Sequence, residues 1–338
     1  MQVNSVEGSI EKPSRDSWSV VATVREPLSV VLAFVAHHLS IGASEVHIYL
    51  DDPEDPAAEI LQSCPQCHVT LCNDRHMKAM GFTERPENQN QRQKRNANHA
   101  LKATKAQWMA HLDADEFLTF PRDVGEVLAG IPEEKLWVQV PHLERFWSDG
   151  DNPDTLFDGP FRFRSPDRKN LCGELFGGEN TLHQMGHAGT VAGKAILRTG
   201  KGCRLGIHRP RQGVYSDKKI PPVIRIKNTG ILHFHGATAR AWASKTARYG
   251  ALTGGVRETI LATARLRQID AFKQLKGDVA REDELHRRMF YMSEEQIDVL
   301  RGHGLLREYC LETEAAVARY FPDVERFPTP AEFDQRYF

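Results

Sequence analysis

The sequence predicts an α/β protein built on a mixed, mainly parallel sheet flanked by helices, with a C-terminal helical extension. Three observations carry this. Short β-branched or aromatic runs alternate with helix-length segments through the first half of the chain. The first strand, helix and strand fit within about 35 residues, the span of a βαβ unit, which requires parallel strands. From Arg240 to Phe321, Glu, Arg, Ala and Leu recur in a helical pattern.

Taken in order, Ser17 to Thr23 is a buried strand, ended by Arg25-Glu26-Pro27. Pro27 suits a first helical turn, and Leu28 to Ile41 carries the helix until Gly42 stops it. Glu45 to Leu50 is the second strand and Val69 to Leu71 the third, with a short helix over Pro56 to Gln62 between them. A polar loop is expected from Cys72 to Asn88, a helix over Gln89 to Thr104, and a strand over Trp108 to Leu112. A short helix at Asp123 to Ala129 and a strand at Leu136 to Val140 follow. Residues 141–235 are rich in Gly and Pro, with short strands at Gly159 to Arg164, Ala195 to Arg198 and Ile231 to Phe234. The expected organisation is a flexible N-terminus (1–16), a catalytic-type domain (17–250), and a C-terminal helical extension and tail (251–338).

Composition excludes several classes. Lys and Arg number 44 against 45 Asp and Glu, so no global field marks a nucleic-acid partner. No stretch approaches the ~20 apolar residues of a membrane span, and residues 1–19 lack the apolar run of a signal peptide, so a cytoplasmic location is expected. Cys64-Pro-Gln-Cys67 has zinc-like spacing but only half of a structural ligand set, which favours ordinary reduced thiols.

The central signal is His111-Leu-Asp-Ala-Asp-Glu-Phe117, an apolar strand running into Asp113, Asp115 and Glu116. Ligands of parallel sheets gather beyond the carboxyl ends of strands. Massed carboxylates cost free energy unless a cation compensates, and Mg²⁺ or Mn²⁺ is the natural one. Alternation along an extended chain sets Asp113 and Asp115 on one side. Asp51 and Asp52 end an earlier strand on the same rim, and Arg25 joins them.

Three blocks in order resemble family 2-like GT-A glycosyltransferases of the bacterial HLDADEF type. They are TVREPLSVVLAFVAHHLSIGASEVHIYLDD, RQKRNANHALKATKAQWMAHLDADEFL, and HFHGATARAWASKTARYG over residues 233–250. In the third, His233, Trp242, Lys245 and Arg248 fall on the family spacing. The resemblance implies a GT-A-like fold and metal-assisted transfer, with inversion, of a sugar from a nucleotide diphosphate (a UDP-sugar first) to a glycan or lipid-linked acceptor. It implies that Asp113 reaches the ribose or metal, that Asp115 is the principal metal ligand, and that His233 is the distant third ligand, with His235 as the alternative. It also implies that Asp51 contacts the nucleoside and that Arg25, Arg92 and Asn96 border its pocket. Arg25-Glu26-Pro27 replaces the commoner Asn-Glu, and Thr238 stands where Ser is usual.

Such a transfer also needs a base for the acceptor hydroxyl. Glu174 and Glu179 in CGELFGGENTLH are the candidates, on a glycine-shaped loop, with Asp149 behind them. Lys194, Arg198 and the His208-Arg209-Pro210-Arg211 cluster are candidate diphosphate contacts, and Phe146 and Trp147 an acceptor platform. Arg265, Arg267, Arg287, Arg288 and Arg301 offer a peripheral contact to an anionic membrane. Two rival functions remain: a metal-dependent nucleotidyltransferase, although Thr23 to Pro27 lacks a Gly-rich phosphate loop, and a glycosyltransferase-like binding protein without catalysis.

Overall fold

The computed structural model describes residues 15–151, 156–165, 170–213, 226–252, 255, 257, 258, 261–275, 277–324, 327 and 329–335. The expected N-terminal flexibility therefore falls, for residues 1–14, outside the described residues. The fold is mixed α/β with a mainly parallel central sheet flanked by helices.

The first sheet comprises β1 (Trp18–Val24), β2 (Glu45–Leu50), β3 (Cys67–Leu71), β4 (Trp108–His111), β6 (Trp137–Val140) and β9 (Lys194–Arg198), in the order β3-β2-β1-β4-β9-β6. The first four run parallel, and β9 is antiparallel to both its neighbours. Helix α1 (Leu28–Ser40) is apolar around its whole circumference, with Ser29 through Leu39 buried. It is covered by the sheet, by β5 (Glu116–Thr119) and by α11 (Thr313–Tyr320), so no face needs to be polar. His37 and His38 of that helix are core residues. His37 Nε2 bonds the Leu118 carbonyl at 2.8 Å, and burial holds its pKa down at about 4.

Helix α4 (Gln89–Ala103) packs Ala97 and Ala100 on the other face of the sheet, against Val21, Tyr49 and Met109. The second sheet has the order β13-β8-β7-β12-β5, with β7 at His142–Arg145, β8 at Gly159–Phe163, β12 at Gly230–His233 and β13 at Leu306–Tyr309. Thus the C-terminal stretch, expected to be helical throughout, supplies a strand that pairs with β8. Its helices include α8 (Thr263–Leu275) and α9 (Val279–Phe290). The expected loop after Cys72 contains α3 (Asp74–Ala79), capped by the Asn73 side chain. Among the described residues no helix is long and apolar enough to cross a membrane.

Cys64 and Cys67 are buried free thiols in the core, and burial raises the pKa of Cys67.

Candidate functional site

The acidic turn is the joint between the two sheets. β4 ends at His111, the Glu116 amide donates to the Asp113 carbonyl at 3.0 Å, and the chain re-emerges as β5 in the second sheet. A turn, not an extended strand, carries Asp113 and Asp115. The expected alternation is therefore lost and the two carboxylates meet different partners.

Asp113 accepts from Gln93 Nε2 at 2.7 Å and from Lys194 Nζ at 2.8 Å. The same ammonium lies 3.0 Å from Glu116 Oε2. Glu116 is fully buried. Its other oxygen accepts from His142 Nε2 at 2.7 Å, while His142 Nδ1 accepts from the Gly193 amide, which fixes the tautomer. Burial opposes ionisation of Glu116, but Lys194 and His142 outweigh it and hold its pKa far below the carboxylate range. Lys194, expected at the diphosphate, is instead a buried counterion.

Asp115 lies 2.6 Å from Lys245 Nζ and 3.6 Å from His233 Nε2. Burial again works against its charge, and Lys245 and His233 again overcome it. Lys245 sits on α7 (Ala239–Gly250), whose N-terminus is capped by Thr238. His233 ends β12, where backbone pairing sets it opposite Glu116 of β5 and Glu144 of β7. Burial would lower the pKa of His233, but Asp115 raises it; His235, beside Arg265 and Lys245, is pushed well down by burial.

Ligand atoms of Asp115, His233 and His235 lie within 4.8 Å of one another. Asp115 Oδ1, His233 Nδ1 and His235 Nε2 are buried without hydrogen-bond partners. A buried polar atom without a partner is costly, so this N₂O donor set fits a divalent cation. Of the expected trio Asp113, Asp115 and His233, the structure groups Asp115 and His233 and sets Asp113 apart from them. Asp113 is taken up by Gln93 and Lys194, and His235 stands in the group instead of being the alternative to His233. Gly189 makes the crowding possible: a Cβ there would stand 2.9 Å from Glu144 Oε1, 3.1 Å from His235 and 3.2 Å from His233.

A cavity of about 590 Å³ opens at this rim. Arg25, Asp51, Arg92, Asp113, His233 and Lys245 all line it, as do Glu26, His208, Arg248 and Arg265. Within it Arg92 forks onto Asp51, with Nε 2.9 Å from Oδ1 and Nη2 2.7 Å from Oδ2, and Arg85 adds a contact at 2.8 Å. These guanidiniums, set against burial, lower the pKa of Asp51. Asn96, expected at the pocket edge, lies beneath it and bonds Thr23, Cys72 and His76.

Other expectations do not reach the cavity. Glu174 is exposed on α6 (Leu171–Phe176), a helix where a loop was expected, and it does not line the cavity. Glu179 falls in the 3₁₀ turn Gly177–Leu182, and its side chain lies outside the described residues. Asp149 is exposed beside Arg287. Phe146 is fully buried in a core cluster, and Arg198 lies over Trp108 at the far end of β9. Arg265, expected among the membrane-facing arginines, is buried on the cavity wall and bonds Thr246 and Gln268.

Glu26 is the residue that sequence reasoning passed over. It lines the cavity, and burial raises its pKa against the pull of Lys245. Its signals were its position directly after the first strand and its match to the Glu of the resembled family's Asn-Glu pair.

No family model and no curated protein matches the chain. Solved structures show slight likeness. S. aureus TarS 1–349 is 12% identical, with 84% of this chain and 83% of that one covered, at a TM-score of 0.30. A CMP:2-keto-3-deoxy-manno-octonic acid synthetase in complex with CTP is 15% identical, at a TM-score of 0.26. That match covers 38% of this chain, which spans 53% of the synthetase's length. The galactosyltransferase LgtC, in complex with donor and acceptor sugar analogues, is 12% identical over 53% of this chain and 57% of that one, at 0.24. At such TM-scores none of the three carries an argument about activity.

Proposed function

We propose that this chain is a GT-A-like glycosyltransferase of the family 2 type that moves a sugar from a nucleotide diphosphate, a UDP-sugar first, to a glycan or lipid-linked hydroxyl. One observation carries the reading: a single cavity at the carboxyl rim joins the Asp51–Arg92 pair, Asp113, the histidines beside Asp115, and the cations Lys245 and Arg248. Asp51 and Arg92 form the polar end suited to a nucleoside. Arg25, Lys245 and Arg248 supply positive charge for a diphosphate. Asp115, His233 and His235 would hold Mn²⁺ ahead of Mg²⁺, because two of the three donors are imidazoles, and the ion when bound supplies Lewis-acid stabilisation of the leaving diphosphate. Glu26 takes the place of Glu174 and Glu179 as the carboxylate on the wall with a raised pKa, the property a general base needs.

Turnover of nucleotide sugars with and without Mn²⁺ tests the reading, Glu26→Gln being read in the same assay. Asp115→Ala abolishes metal-dependent turnover while the circular dichroism of the fold persists; near-normal turnover would refute the role of Asp115. A second reading is favoured by the Lys245 ammonium already on Asp115. In it Lys245 supplies the positive charge and transfer proceeds without metal, so full activity in chelator decides for it.

A further inference from the structure

A second donor cluster lies at the other end of the first sheet, away from the cavity. Glu45 opens β2, and His47 follows two residues later on the same face. The parallel register sets His68 of β3 directly beside His47. Glu45 Oε2 lies 3.3 Å from His47 Nε2 and 3.2 Å from His68 Nε2. The ring centroids are 4.9 Å apart, tilted by 33°. The three ligand atoms fall within 4.8 Å of one another.

These separations suit an ion better than hydrogen bonds. Zinc bonds of about 2.0–2.1 Å in a tetrahedron give a ligand–ligand edge of roughly 3.3 Å. His47 is 6% exposed, and its Nε2, which faces the carboxylate, is buried with no hydrogen-bond partner. The carboxylate is held in place from behind. Glu45 Oε1 accepts from Thr104 Oγ1 and from the amides of Lys105, at 3.0 Å, and Ala106, at 3.3 Å, just beyond α4. Such outer bonds orient a metal ligand and fix which oxygen it presents. The His68 side chain is 52% exposed, which gives an ion a path in and leaves a position for water.

We propose that Glu45, His47 and His68 form a binding site for a divalent transition ion of the zinc type, separate from the cavity, that ties β2 to β3 and to the end of α4. Two imidazoles and one carboxylate select such an ion over magnesium, which prefers an all-oxygen shell.

The test is titration of the tag-free, chelator-treated full chain with zinc chloride by calorimetry, alongside His68→Gln and His235→Gln. One zinc equivalent is expected to persist in His235→Gln and to weaken at least about tenfold in His68→Gln. Unchanged zinc affinity and stoichiometry in His68→Gln, or no zinc bound by the unmodified chain, overturns the site. So does a zinc equivalent that only His235→Gln removes. Thermal unfolding supplies a second reading. Zinc raises the midpoint of the unmodified chain but not that of His68→Gln, whose metal-free midpoint stays unchanged because residue 68 is half exposed. An equal zinc-induced rise in both counts against the proposal.

Discussion

Two lysines neutralise the acids of one turn in opposite surroundings. Lys194 is sealed in, with 1% of its side chain exposed, and bridges Asp113 and the fully buried Glu116. Lys245 is 20% exposed, stands on the cavity wall, and holds Asp115 alone among the carboxylates of the turn. For both, burial disfavours the charge and the acids overcome it, so both stay protonated. The difference is access. A sealed cation fixes the backbone around it, whereas one on a wall can be displaced, or joined, by whatever enters the cavity. The first is part of the frame and the second part of the working surface.

Lys194→Met breaks the frame and has the largest expected effect. It leaves the buried Glu116 with a neutral imidazole and the Asp113 amide but no cation, and removing one partner of a buried pair costs about 3–5 kcal/mol. Urea unfolding measures this, and a loss under about 1 kcal/mol would erase the distinction.

The frame also predicts an acid limb. Glu144 is buried and tied to Arg162 at 2.6 Å, and to the amides of Ala188 and Gly189. Burial opposes its charge, yet Arg162 and His187 bring its pKa down to about 2 from 4.5. A carboxyl depressed on folding contributes stability that is complete above its unfolded pKa. That contribution is lost as pH falls from 4.5 toward 2, and amounts to about 3 kcal/mol. Unfolding midpoints measured against pH should fall across this window, and Glu144→Gln should flatten the slope there.

Lys245→Met sharpens the comparison from the other side. Asp115 keeps His233 beside it, so the loss is expected near 1–2 kcal/mol. Donor turnover should drop further than stability does. A stability loss equal to that of Lys194→Met, measured in the same urea series, would make Lys245 a frame residue too.

Much of this was legible in the chain. The β1–β4 half of the sheet reads directly, because strands covered on both faces are continuous β-branched or aromatic runs bounded by turn residues. The acids at strand ends were legible for the same reason. The second sheet was legible only in part: Gly159 to Arg164 and Ile231 to Phe234 read as strands and form β8 and β12, but β5, β7 and β13 did not read. His142-Leu-Glu-Arg145 looks like polar loop, yet all four residues are buried, because Glu144 finds Arg162 and Arg145 finds Asp151. The strand Leu306–Tyr309, with only its ends half-buried, left no alternation strong enough to interrupt the helical pattern around it.

The sequence by itself determined the parallel half-sheet, the apolar α1 and the position of the acidic cluster, since periodicity and strand ends are local properties. Only the tertiary structure decided what those acids do. Lys194 and Lys245 lie 81 and 130 residues from the aspartates they neutralise. A turn in place of an extended strand then sent Asp113 to one lysine and Asp115 to the other. Charge compensation is a matter of distances in space, and chain spacing does not encode them.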